Sequence, residues 1–217
     1  ITRAIEMIAP DSTNAITINL TKGTFAPSIT GENFPIIMIS NVNLIGQGEN
    51  QTILNPEGTG QGLNLYNIHN VSITHLSIIE GMGFEVGWEY PEFWGGGFSI
   101  TTSHNIHLSN IVLHDNFAPM GAGISILGTT QIELKYLEIY NNISSEGAAG
   151  ITVIYSEIII DHSIVHSNQG DIHGGILIYN EMQDDPNYEN IPKNIIITNS
   201  DIYDNESDLH NINNWYW

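Results

Sequence analysis

The chain has 217 residues, and 4 Lys+Arg against 24 Asp+Glu give a net charge of −20. That balance repels phosphate backbones and anionic lipid, so nucleic acid is not expected as a partner. There is no cysteine, which excludes disulfides and thiolate metal sites, and no apolar run reaches the roughly 18 residues of a membrane helix.

Taken in order, residues 2–9 predict a short helix. Ala4, Ile5 and Ile8 share one face, Thr2 is a candidate N-cap, and Pro10 stands where the helix should stop. Its expected role is to cover the lower end of the sheets that follow. Residues 15–20 alternate as a strand, and further strands are expected within 42–54, 62–65 and 71–78.

From there the chain repeats itself. Residues 105–116, 131–142 and 157–168 superpose at a spacing of 26 residues. Aligned along the whole chain, the repeats give three inward apolar columns. The first is Val42, Val71, Ile106, Ile132, Ile158, Ile195; the second is Leu44, Ile73, Leu108, Leu134, Ile160, Ile197. The third is Ile78, Leu113, Ile139, Val165, Ile202, and a glycine column runs through Gly62, Gly97, Gly123, Gly150 and Gly175.

Period-2 alternation inside a repeat of this length means a solenoid. Ile, Val and Thr dominate and no 3.6-residue period appears after residue 9, so helical repeats are excluded. The fold expected is all-β: a single-stranded right-handed parallel β-helix of about seven coils, with residues 1–10 as a capping helix. One domain spans 1–217. The chain reads as a portion of a longer protein, with another domain or chain covering its upper end.

Asn116, Asn142, Asn168 and Asn205 each follow the third apolar column by three residues. Asparagine tolerates the left-handed backbone of a corner, and its amide can bond up and down a stack. A structural ladder is expected there.

These features resemble the pectate-lyase-like superfamily of right-handed parallel β-helices, and within it secreted multi-repeat proteins of uncharacterised function. The resemblance rests on the leading helix with Ile16–Phe25, on Val42–Gly48 with Thr52–Leu54, and on the Asn-to-Gly-Ile coils. It implies an extracellular or cell-surface location. Lyases of this superfold use Arg or Lys as base, and this chain has only Arg3, Lys22, Lys135 and Lys193. The hydrolase branch uses clustered aspartates, of which Asp184-Asp185 and 171–174 are only partial counterparts. No catalytic residue is carried over.

Two insertions, 82–96 and 180–192, break the period. Loops on a rigid scaffold are where function concentrates. The first gathers Trp88, Tyr90 and Trp94 with Glu85, Glu89 and Glu92, a composition suited to neutral sugar rings. The second holds Asp184, Asp185 and Glu189, oxygen ligands that suit calcium. Two outward columns, His114, Tyr140, His166, Tyr203 and its neighbour His75, Asn110, Tyr136, His162, Asn199, form a polar-aromatic face that suggests ring stacking on the sheet. The function expected is a non-catalytic surface module binding neutral polysaccharide. The alternatives are a polysaccharide-degrading hydrolase or lyase, and a structural assembly subunit.

Overall fold

The computed structural model describes residues 1–84, 94–180 and 194–207. Apart from two short helices, α1 (Thr2–Glu6) and α2 (Pro27–Thr30), the regular structure is β. Among the described residues, strands form three sheets of eleven, six and four, and every strand pairing is parallel. Stacked parallel sheets of this kind are compatible with a β-helix solenoid.

The spine of the largest sheet runs in chain order. It comprises β1 (Ile16–Asn19), β4 (Val42–Ile45), β7 (His69–Ile79), β9 (His104–His114), β12 (Thr130–Tyr140), β15 (Ile158–Asp161) and β19 (Ile195–Thr198). The register puts Val71 opposite Ile106, Ile106 opposite Ile132, Ile132 opposite Ile158 and Ile158 opposite Ile195. The six-stranded sheet includes β8 (Phe98–Thr101), β11 (Ile124–Leu127), β14 (Ile151–Ile154) and β18 (Ile176–Tyr179). Inward side chains of both sheets merge into one core with Leu63, Leu65, Phe98, Ile124 and Ile151 fully buried. In the last described rung the inward Ile197 and Ile202 are 38% and 48% exposed.

The glycine column has a steric cause. A Cβ on Gly97 would lie 2.6 Å from the Gly123 carbonyl oxygen, and one on Gly123 would lie 2.5 Å from that of Gly150. Successive rungs approach too closely there for any side chain.

Three local expectations are corrected. The N-cap of α1 is Ile1, with no side-chain capping bond, so Thr2 is the first helical residue. The helix stops at Glu6 and packs Ile5, with Ile1 and Ile8, onto the core. The ladder asparagines are not themselves left-handed. Positive φ falls one residue earlier, at Asp115 (56°), Asn141 (52°), Ser167 (53°) and Asp204 (48°). Finally, His75, Asn110, Tyr136, His162 and Asn199 are not ordinary outward strand positions: all five have φ between 49° and 60°. The long strands bend at these residues, and in later rungs the chain breaks there into β15 and β16 (Ile164–His166), or β19 and β20 (Asp201–Tyr203).

Candidate functional site

Polar side chains are organised in internal hydrogen-bonded files and on the outer face of the large sheet, while the stems of the first insertion carry aromatic residues.

The ladder is a continuous hydrogen-bonded file. Gly81 N–H donates to Asn116 Oδ1 at 2.8 Å. Asn116 donates its backbone N–H (3.1 Å) and its amide (2.9 Å) to Asn142 Oδ1. Asn142 does the same to Asn168, and Asn168 to Asn205. Each of the last three amides also donates to two main-chain carbonyls, those of Leu113 and Tyr140 for Asn142. With Asn116, Asn142 and Asn168 buried, the amide atoms are consumed by structure.

A second file went unread in the sequence. Ser103 N–H donates to Thr129 Oγ1, Thr129 N–H to Ser156 Oγ, and Ser156 N–H to Asn180 Oδ1. The residue type changes at each rung, so there was no identical column to notice. What the four share is only a short polar side chain.

The outer face of the large sheet carries the ring stack. Centroids of His114, Tyr140, His166 and Tyr203 are spaced 4.8, 5.2 and 5.1 Å, with interplanar angles of 10°, 11° and 5°. That spacing is the inter-strand distance of about 4.8 Å. Ring faces therefore cover one another and ring edges are left to solvent. Burial is the main cause that raises the Tyr140 phenol, with the Glu138 and Asp115 carboxylates adding to it. His166 lies between Ser167 Oγ (3.1 Å) and Glu138 Oε1 (3.4 Å).

Alongside run charged pairs. Lys135 Nζ is 2.5 Å from Glu133 Oε1, and His107 Nδ1 is 3.0 Å from Glu133 Oε2. The Lys135 hydrogen bond is the main cause that holds the Glu133 carboxyl below its usual range, and that same bond raises the Lys135 ammonium. Asp161 is lowered to about 2, chiefly by hydrogen bonds from Asn199 and His162 and then from Thr198. A second stack joins His69 and His104, with centroids 4.9 Å apart at 11°.

Of the candidate binding residues in the first insertion, Glu85, Trp88, Tyr90, Glu89 and Glu92 lie outside the described residues. Trp94 is described and is 5% exposed, packed in a satellite cluster with Met120, Leu127, Ile154 and Tyr155. Phe84, at the other stem, is 40% exposed. The stems are close together: a Cβ on Gly83 would lie 2.4 Å from the Trp94 carbonyl oxygen. The candidate calcium ligands Asp184, Asp185 and Glu189 also lie outside the described residues. Among the described residues no group of three or more His, Asp or Glu could hold a metal ion, and no helix is long and apolar enough to cross a membrane.

No family model, curated protein or solved structure matches the chain.

Proposed function

We propose that the chain is a rigid, non-catalytic module of an extracellular or cell-surface protein, a right-handed parallel β-helix of the pectate-lyase-like kind. Its recognition surface is the first insertion, and its ligand a neutral glycan. The observation that supports this reading is the anchoring of that insertion. Gly83 and Trp94 meet at its base, Trp94 is sunk in the satellite cluster, and Phe84 turns outward. A pinned base lowers the ordering cost of binding through Trp88 and Tyr90.

The outer face supports the same division of labour. Its inner rings, Tyr140 and His166, are stacked on both faces, so they offer a sugar no platform. Lys135 is paired with Glu133 and held protonated, which suits a structural charge better than a base that must accept a proton.

The test is a glycan array probed with the wild-type chain and with Trp88→Ala and Tyr90→Ala. Binding to neutral glycans that both substitutions abolish is the expected result. Absence of binding, or binding untouched by either change, removes the glycan assignment. Turnover of any polysaccharide in a panel supplied with calcium would overturn the non-catalytic assignment.

A further inference from the structure

Among the described residues, some histidines along the large sheet's outer face are paired with carboxylates, and others, His75 at a bend among them, are not. His107, His114, His162 and His166 each have a carboxylate within 3.4 Å: Glu133, Asp115, Asp161 and Glu138 respectively. His69 and His104 have no such partner among the hydrogen bonds and ion pairs of the described residues. They are direct partners in register on adjacent parallel strands, and their rings lie nearly parallel with centroids 4.9 Å apart. His104 is exposed and His69 half-buried.

His69 also has a built-in support. Its backbone N–H donates to Ser40 Oγ at 3.1 Å, and its Nδ1 lies 3.2 Å from the same oxygen. When Nδ1–H donates to that hydroxyl, the tautomer is fixed and the Nε2 lone pair is left for an ion. A ligating imidazole commonly has such an outer partner for its other nitrogen.

From this juxtaposition we propose that His69 and His104 form an exchangeable site for a divalent transition-metal ion, with copper(II) bound most tightly. Metal–imidazole bonds are about 2.0–2.1 Å, so the two rings must tilt toward each other from their stacked separation. His104, the exposed partner, supplies most of that movement, while Ser40 holds His69. Two imidazoles suit copper, nickel and zinc, and the order of affinity places copper(II) first. No third protein ligand is at hand among the described residues, so water completes the coordination and the ion exchanges with solvent. The net charge of −20 raises the local concentration of any cation. Protons compete for the same lone pairs, so affinity falls as pH falls.

The experiment is a copper(II) titration of the full chain, followed by calorimetry and by electron paramagnetic resonance. The expected result is one tightest site whose spectrum carries two imidazole nitrogens. His69→Gln and His104→Gln should each weaken it by at least about tenfold, and Ser40→Ala by about tenfold. His162→Gln, at the paired position beside Asp161, should leave it unchanged. Circular dichroism of each variant establishes that the fold persists. A tightest site that survives in either His69→Gln or His104→Gln, or a spectrum with a single nitrogen ligand, overturns the proposal.

Discussion

The Asn142 side-chain amide donates to Asn168 Oδ1 at 2.9 Å, and that oxygen also accepts the Asn142 backbone N–H at 3.0 Å. One acceptor thus ties two rungs together at two points. Its neighbour Asn141 contributes differently, through backbone conformation: its φ is 52°. The two adjacent asparagines should respond unequally to mutation. Asn142→Ala leaves the Asn116 N–H and amide without their buried acceptor, at about 1–3 kcal/mol for each unsatisfied group. Asn141→Gly keeps the left-handed turn and should cost little, because glycine takes positive φ without strain. Urea unfolding of both variants decides it; equal losses would mean that the ladder is not what holds these rungs.

The sequence disclosed the columns but not the bends between them, and the reason lies in the alternation. Ile73 and Ile78 both point inward, yet they are five residues apart. On an unbroken strand an odd spacing puts side chains on opposite faces. The phase shift is supplied at His75, with φ of 60°, and repeated at Asn110, Tyr136, His162 and Asn199. Asparagine and histidine in a left-handed conformation were foreseeable; tyrosine there was not, because no local propensity marks it. Tertiary stacking sets its conformation. The candidate binding residues were legible only as composition. Trp94 reads like Trp88 in sequence, and nothing there announces that Met120 and Ile154 enclose it.

Gly123 should tolerate no side chain. A Cβ would meet the Gly150 carbonyl oxygen at 2.5 Å and Ile139 Cγ2 at 2.8 Å. The first of these is backbone and cannot swing away. Gly123→Ala is expected to destabilise by about 1–3 kcal/mol through overpacking. Gly58, whose added Cβ would meet nothing within 4 Å but whose φ is 66°, is the control for conformational strain alone. Thermal unfolding of Gly123→Ala and Gly58→Ala separates the two causes: the first should fall further.

Acid should loosen the last described rung, which Asp161 ties to the one below. The Asp161 carboxylate accepts hydrogen bonds from Thr198 Oγ1 and Asn199 Nδ2, both at 2.9 Å, from the rung above. Its pKa falls to about 2 from an ordinary 3.8. For a lowered carboxylate, the stabilisation is complete above the ordinary value and disappears as pH falls through the folded one. The window is therefore between about pH 4 and pH 2. Hydrogen exchange at the Thr198 and Asn199 amides should quicken across it relative to amides of β8 and β11. Asp161→Asn should flatten that response. An unchanged profile in the variant would assign acid sensitivity to other groups.

Trp94 and Trp88 should separate stability from recognition. Trp94 is sunk among Met120, Leu127, Ile154 and Tyr155, so Trp94→Ala removes packing as well as apolar burial. A buried tryptophan lost to alanine costs about 3–5 kcal/mol in a full core, and a satellite cluster should give the lower end. The loss should appear first as faster exchange around Gly83 and Gly95, whose close approach depends on that stem. Trp94→Phe, which keeps an aromatic filler, should recover most of it. Glycan binding, where present, should weaken in Trp94→Ala in proportion to the loosened stem and return in Trp94→Phe. If Trp94→Phe restores stability without restoring binding, the indole itself contacts the ligand, and the stem is part of the recognition surface rather than its anchor.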